Sequence, residues 1–357
     1  MKILVLGGGQ QGRVIATDLA RALERATVTV ADVRAPRLPA LPNLRWVEAD
    51  LAEPAVLERR IAEHDLAVGA LPSRLGLACM RAAIAARRRL VDVSFSAESP
   101  LALDGEARAA GVTVLPDCGL APGLSHLVVG HAVATGPRPD EVVIDVGGVA
   151  RDPGRPFGYV VTWSLDDLLE EYVRPARIVR GGRPATAPVF SGLENVEIPG
   201  VGTMEAFLSD GLRTLVETHP EIPDMCERTL RWPGHVEAVR PLVDSGRFVE
   251  TIRARCSADP PDDLVVLRIT VRRGAGVSRA LLVDRYDAAT GLTAMARTTA
   301  FTTAAVALAV ASGLPVPPGV VPLERAAAVP GFFAFVRDAL ARRGVRLGDL
   351  EPVATAR

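Results

Sequence analysis

The run Gly7-Gly8-Gly9-Gln10-Gln11-Gly12, directly behind Lys2-Ile3-Leu4-Val5-Leu6, restricts this chain more than any other stretch. A G-x-G-x-x-G that closes a strand and opens a helix does three things at once. The first glycine permits a tight turn, the second lets backbone approach a pyrophosphate, and the third lets helix and strand pack closely. The free N–H groups and positive dipole end of the helix attract the anion. Gly7, Gly9 and Gly12 are therefore read as dinucleotide-binding, with Gln10 and Gln11 at the helix opening beside them.

The rest of the first third agrees. Ile3–Leu6, Thr27–Ala31, Leu44–Glu48, Leu66–Gly69, Leu90–Val93 and Val112–Leu115 read as buried strands. Helical stretches lie between them, including Arg13–Ala26, Pro54–His64 and Leu75–Arg88. Such alternation predicts an α/β domain on a doubly wound parallel sheet. Asp32 ends the second strand 20 residues after Gly12. A carboxylate there hydrogen-bonds the adenosine ribose and repels a 2′-phosphate, which favours NAD over NADP. Val33 and Arg34 follow on the same rim, and an arginine there can instead accept the phosphate. Asp50 and Leu51, after the third strand, meet the adenine edge, or Asp50 caps the next helix. Ala70-Leu71-Pro72 and Ser94 leave the fourth and fifth strands at the carboxyl edge, where a nicotinamide half lies. Asp117 leaves the sixth strand on that edge, either at the reacting carbon or as a cap for the helix starting near Leu124. Cys118 beside it reads as packing, because no histidine is adjacent in sequence to activate it.

Beyond residue 120 the pattern changes. Glu141–Val146, Tyr159–Thr162, Leu264–Arg272 and Arg279–Asp287 alternate as in a mostly antiparallel sheet. Leu124–Ala134, Met204–Thr214, His235–Asp244 and a long small-residue stretch, Leu292–Ser312, read as helices. The expected division is 1–122 for the dinucleotide-binding domain and 123–294 for an α/β substrate domain. Residues 295–357 follow as helices returning to the first domain.

A formal net charge of −1, from 41 basic and 42 acidic residues, advertises no nucleic-acid or anionic-membrane surface. With aromatics at only 4%, base-stacking platforms are not expected either. Lys2 is the only lysine, so Schiff-base chemistry on an internal enzyme amine is excluded. Four scattered cysteines without C-x-x-C spacing indicate reduced thiols, with neither disulfides nor a zinc site. The apolar stretch Ala304–Ala311 is shorter than the ~18 residues of a membrane span, and the N-terminus shows no cleavable leader pattern. The expectation is a cytoplasmic enzyme for a small molecule, binding neither membrane nor nucleic acid, with no metal.

A second concentration of polar residues is Cys226-Glu227-Arg228-Thr229-Leu230-Arg231-Trp232-Pro233-Gly234-His235. Arg228 and Arg231 suit bidentate recognition of an amino-acid carboxylate, and His235 suits proton transfer; the alternative is a charged turn before a helix. Trp163 lies beside Thr162, Ser164 and Asp166-Asp167, as a wall of a pocket or as core. His126 and His131 lack carboxylates at metal-ligand spacing and read as helix residues.

Together these segments resemble the saccharopine dehydrogenase-like oxidoreductases, most closely their L-lysine 6-dehydrogenase branch. Besides the glycine motif, the resemblance rests on Asp117–Gly123, Glu197–Phe207, Asp210–Leu215, Glu227–His235, Met295–Phe301 and Gly319–Glu324. It implies a Rossmann domain, a substrate domain that supports a homodimer or higher oligomer, and NAD-linked oxidation of a terminal amine. It also implies that Asp117, Trp163 and Arg231 are site residues, with Arg228 assisting Arg231 and Asp117 or His235 as general base. Cys118, Trp232, Ala300 and Thr302 depart from the family pattern and bear on substrate choice. The competing expectations are a saccharopine-type enzyme, which forms or cleaves a secondary amine between two amino acids, and a non-catalytic NAD-binding module.

Overall fold

The computed structural model describes residues 1–96 and 98–353. The chain forms two compact units, Met1–Ala134 with Thr298–Gly344, and Thr135–Arg297 with the segment from Val345 onward.

In the first unit, six strands form in chain order: β1 (Lys2–Leu6), β2 (Thr27–Asp32), β3 (Leu44–Glu48), β4 (Leu66–Gly69), β5 (Arg89–Asp92) and β6 (Thr113–Leu115). They pair in parallel in the order β6-β5-β4-β1-β2-β3, and the two-residue strand Gly319–Val320 adds beside β6. Ile3, Leu4, Val5 and Leu6 are fully buried, as are Val28, Val30, Leu66 and Val68. Strands covered on both faces read as continuous apolar runs, which is why this sheet was visible in sequence. Each such side chain contributes on the order of 1.5–3 kcal/mol. Helices α1 (Gln10–Ala22), α2 (Pro54–Ala62), α3 (Gly76–Ala85), α4 (Asp104–Ala110) and α5 (Leu124–Thr135) complete the pattern. Because β1 lies between β4 and β2, the chain winds in opposite directions from it, and the switch point falls at the carboxyl ends of β1 and β4.

The second unit is built on a mixed sheet: β7 (Glu141–Ala150), β8 (Ala176–Arg180), β9 (Arg183–Ala187), β10 (Glu194–Ile198), β11 (Gly202–Ser209), β12 (Asp224–Arg231), β13 (Asp263–Arg273) and β14 (Gly276–Arg285). Its path is β10-β11-β12-β7-β13-β14, ending on Glu351–Pro352, with β8 and β9 off it. All pairings are antiparallel except β12 with β7. Helices α6 (Leu165–Val173), α7 (Leu215–Thr218), α8 (His235–Asp244) and α9 (Phe248–Cys256) accompany it. Tyr159, Leu168, Tyr172, Phe207, Val239 and Phe248 form one core with parts of α6, α8 and α9.

Three expectations are corrected. Met204–Thr214 is not a helix: Met204, Ala206 and Leu208 alternate with Glu205, Phe207 and Ser209 along β11, so period 2 prevails. Glu205 shows why, since its carboxylate accepts the N–H groups of Gly234 (2.9 Å) and Val236 (2.6 Å) and so caps α8 from the sheet. Tyr159–Thr162 is irregular rather than a strand, with Val161 N–H bonded to the Cys256 carbonyl. The unit boundaries lie elsewhere than 122 and 294, because most of α5 belongs to the first unit and Glu351–Pro352 returns to the second sheet. Helix α10 (Ala294–Ala311) is 18 residues, long and apolar enough by composition to cross a membrane, but 78% of it is buried as a core helix. Asp263 caps its start, accepting from the N–H groups of Ala294 and Met295.

Candidate functional site

In the first unit, the glycine loop is shaped for a phosphate. Gly7 has φ +97°, and a Cβ there would sit 2.6 Å from the Ala70 carbonyl oxygen. A Cβ on Gly12 would lie 1.9 Å from the Gly7 carbonyl oxygen, so α1 packs against the loop only with hydrogen at that position. Gly9 instead faces open space, with no heavy atom within 4 Å of an added Cβ. The first turn of α1 carries no acidic residue and no side-chain cap, which leaves its N–H groups to an anion. Gln10 is exposed and Gln11 half-buried. These residues fit a dinucleotide pyrophosphate.

Asp32 ends β2 with its carboxylate fixed by backbone: Gly8 N–H donates to Oδ2 at 2.6 Å and Arg34 N–H to Oδ1 at 3.0 Å. Val33 is 52% exposed and Arg34 is exposed on the same rim. Asp50 receives the N–H of Ala52 at 3.0 Å, a local turn ahead of α2, whose N-cap is Glu53; Leu51 is buried behind it. Ala70, Leu71 and Pro72 leave β4 alongside the glycine loop. The Ser94 hydroxyl donates to Asp92 Oδ2 at 2.5 Å. Asp92 was not singled out from sequence. It is fully buried and lies against Gly69, where a Cβ would come within 2.1 Å of its Oδ1. Burial, with Asp117 nearby, pushes its carboxyl up to about 7, although Ser94 hydrogen bonds oppose this. Asp117 is 3% exposed and holds a left-handed backbone, φ 54°. A non-glycine residue kept in that region marks a position fixed by its surroundings. The fold thus brings the glycine loop, Ala70–Pro72, Ser94 and Asp117 to one edge of one sheet.

In the second unit, alternation along β12 places Glu227, Thr229 and Arg231 on one face and Arg228 on the other. Arg228 bonds Asp145 at 2.6 Å and pairs with Glu194, while Arg268 holds the second Asp145 oxygen at 2.8 Å. Arg228 therefore does not stand beside Arg231, and the assisting role expected of it is corrected: the two are three residues apart on a period of two.

Arg231 is 2% exposed and enters a closed chain of hydrogen bonds. Its Nε donates to the Tyr172 hydroxyl (2.8 Å), one terminal nitrogen to the Leu230 carbonyl (2.9 Å), and the other to Glu171 (2.9 Å). Having accepted from Arg231, the Tyr172 hydroxyl donates to Nε2 of His235 at 3.0 Å, and His235 Nδ1–H donates to the Phe157 carbonyl at 2.7 Å. Burial, then repulsion from Arg231, lowers His235 to about 3. Its lone pair is already engaged and its charged form is disfavoured, so the general-base role expected of His235 is corrected to one of positioning. Burial works against the charge of Arg231, but Tyr172 and Glu171 hold its pKa above the usual value. Trp163 is half-buried and packs on the aromatic core of α6, α8 and α9. Tyr172, Glu171, Glu205 and Glu227 were missed from sequence, as was Arg213, 2% exposed with φ 47°. The alternation Glu227, Thr229, Arg231 was the available signal for one of them.

Comparison with known proteins follows this division. Residues 3–115 match the saccharopine dehydrogenase NADP binding domain, and residues 119–345 match the saccharopine dehydrogenase C-terminal domain. The chain is 26% identical over 288 residues to "Saccharopine dehydrogenase [NADP(+), L-glutamate-forming]" of Schizosaccharomyces pombe, covering 72% of this chain and 61% of that protein. The protein of the same description from Saccharomyces cerevisiae is 26% identical over 261 residues, 68% of this chain and 58% of its own length. The chain thus spans about three fifths of these relatives. The structure of apo saccharopine dehydrogenase (L-Glu forming) from S. cerevisiae shares the fold, with a TM-score of 0.73 at 18% identity, over 99% of this chain and 100% of that one. These names point to the saccharopine dehydrogenases rather than to the lysine 6-dehydrogenase branch expected from sequence. With both domain types matched across nearly its whole length, the chain belongs to the saccharopine dehydrogenase family.

Proposed function

We propose that the protein is an NAD(P)-dependent dehydrogenase that oxidises an amine-bearing carbon of an amino acid, the terminal amine of lysine or a lysine-like compound. Asp117 carries the reading: a nearly buried carboxylate, held in a left-handed backbone, at the carboxyl edge of the sheet whose β1 ends in a phosphate-shaped glycine loop. The nicotinamide, when bound, supplies the hydride acceptor. Gly7–Gly12, Asp32, Val33, Arg34 and Ala70–Pro72 hold the dinucleotide, with Asp50, Leu51 and Ser94 around it.

Asp117 takes one proton from the substrate ammonium, because only the neutral amine can lose hydride from its carbon. Once Asp117 has released that proton to solvent, its carboxylate faces the cationic imine, and water converts that imine to aldehyde and ammonium. Arg231 engages the substrate carboxylate by exchanging its contact with the partly exposed Glu171. His235 and Tyr172 keep the guanidinium aligned during that exchange, and Trp163 walls the alkyl chain.

The names of the relatives favour a second reading, in which the oxidised carbon bears a secondary amine joined to another amino acid. Fluorescence of the reduced cofactor separates the two. Growth with L-lysine and NAD(P)+ alone supports the deaminating enzyme. Consumption of reduced cofactor only when an aldehyde and an amino acid are supplied together supports the second reading. In either assay, Asp117→Asn is expected to cut kcat by ~10²-fold or more, the usual scale for a lost general base. An active Asn variant would reduce Asp117 to a structural cap.

A further inference from the structure

A cleft of about 630 Å³ lies wholly within the second unit, lined by the turn that joins β10 to β11 (197–202) and by residues of β13 and β14. Sites for small ligands run from roughly 300 to 1,000 Å³, so the volume suits an organic molecule. The turn is tied down at two points. Arg285 donates to the Gly200 carbonyl at 3.3 Å, and a terminal nitrogen of Arg268 donates to the Glu197 carbonyl at 2.9 Å. Ile198, Pro199, Val201 and Leu281 give the cleft an apolar wall, and Arg268 and Arg279 give it two guanidiniums.

Strand register sets this cleft apart from Arg231. Arg228, Asp145, Arg268 and Leu281 are successive partners across β12, β7, β13 and β14, so they share one sheet face. Arg279 lies two residues from Leu281 on the same strand and therefore on that face, whereas Arg231 occupies the opposite one.

The nearby carboxylates are engaged elsewhere. Asp145 is shared between Arg228 and Arg268. The Glu197 carboxylate accepts from the hydroxyl of Thr203, its partner across the hairpin. Arg279 makes no hydrogen bond or ion pair among the described residues, and Glu351, opposite it on the outermost strand, does not pair with it. The charged groups that act on Arg279 are Arg268 and Arg272, opposed by Asp145 alone; with burial, they hold its pKa below the ordinary guanidinium value. A cation would add to that repulsion. A carboxylate would relieve it and fits the guanidinium fork.

The geometry points to a second ligand site, in which Arg279 and Arg268 hold the carboxylate of a small organic acid and Ile198, Pro199, Val201 and Leu281 hold its apolar body. Because Arg231 lies across the sheet, this ligand binds alongside the substrate rather than in its place.

Hexanoate is the probe, with hexanol and hexylammonium as controls of the same chain length. Calorimetry on the full chain is expected to show hexanoate bound, and both controls at least tenfold weaker. Arg279→Gln, at an exposed position, is expected to weaken hexanoate roughly tenfold, the scale of one charge-assisted contact. Val201→Glu sets a negative charge in the wall and should do the same. Arg268 is left in place because Asp145 depends on it. Melting curves establish that each variant is folded, and Val201→Glu carries the test if Arg279→Gln is not. Arg231→Met should leave this binding intact. Hexanol bound as tightly as hexanoate, or no measurable binding of hexanoate, overturns the site. So does binding that survives in the folded variants of the cleft and vanishes in Arg231→Met, since the carboxylate then sits on the other face.

Discussion

The hydroxyl of Tyr172 lies 3.0 Å from Nε2 of His235 and accepts from Nε of Arg231, so one phenol joins a guanidinium to a neutral imidazole. Tyr172→Phe removes the link and leaves both nitrogens buried without it. The expected cost is about 1–3 kcal/mol of stability, read as a lower melting temperature, together with a higher KM for substrate. The same network gives acid sensitivity. The unfolded chain protonates His235 near the ordinary imidazole value of 6.5, whereas the folded protein resists down to about 3. Stability is therefore lost as pH falls from about 6.5 toward 3, by at most about 1.4 kcal/mol per pH unit. His235→Gln should flatten that part of the curve, and an unchanged slope would contradict the neutral assignment.

Asp92 produces the opposite slope. The unfolded chain ionises this carboxyl above the ordinary aspartate value of 3.8, while the folded protein keeps the proton up to about 7. Its contribution is thus full in acid and declines as pH rises across that interval. Asp92→Asn keeps an acceptor for the Ser94 N–H, meets the Ser94 hydroxyl with its amide N–H as donor, and never ionises. Melting temperatures at pH 5 and pH 8 should show the variant gaining on wild type at the higher pH. Equal differences at both values would mean that Asp92 is ionised throughout.

Arg228 and Arg231 lie on opposite faces of β12, so their substitutions should separate cleanly. Arg231→Met is expected to lose on the order of 2–4 kcal/mol in kcat/KM, the value of a charge-assisted carboxylate contact. Arg228→Met should lower the melting temperature, because Asp145 keeps only Arg268, while kcat/KM changes little. Cofactor affinity, titrated by fluorescence, should be unaltered in both. Comparable losses of kcat/KM in the two variants would refute the division.

The parallel sheet was legible because its strands are apolar on both faces and its glycine loop has a fixed position. β11 was not, since Gly202–Ser209 carries residues compatible with either period, and a contact from Glu205 to a helix start 29 residues away settles it. The separation of Arg228 from Arg231 was legible in principle, as three is odd on a period of two, but only once the segment is known to be a strand. Asp92 and Glu227 were out of reach for another reason. Each matters through a glycine distant in sequence, Gly69 or Gly211, whose missing side chain makes room for the carboxyl.

The sequence favours NAD through Asp32, whereas the matched domain and the named relatives are described with NADP. The geometry shows why substitution of Asp32 must be chosen with care. Its carboxylate accepts the Gly8 N–H at 2.6 Å, so it also ties the glycine loop to β2, and Asp32→Gly would confound loop support with charge. Asp32→Asn keeps an acceptor for the Gly8 N–H and removes the negative charge, giving up only the acceptor for the Arg34 N–H. If that charge repels a 2′-phosphate, the wild-type enzyme prefers NAD, and Asp32→Asn narrows the ratio of the two kcat/KM values roughly tenfold, equivalent to about 1.4 kcal/mol of relieved repulsion at this partly exposed carboxylate. If the wild-type enzyme already prefers NADP, the exposed Arg34 guanidinium outweighs Asp32, and Arg34→Ala should then reduce NADP use while sparing NAD. Kinetics of three proteins with two cofactors decide between the residues.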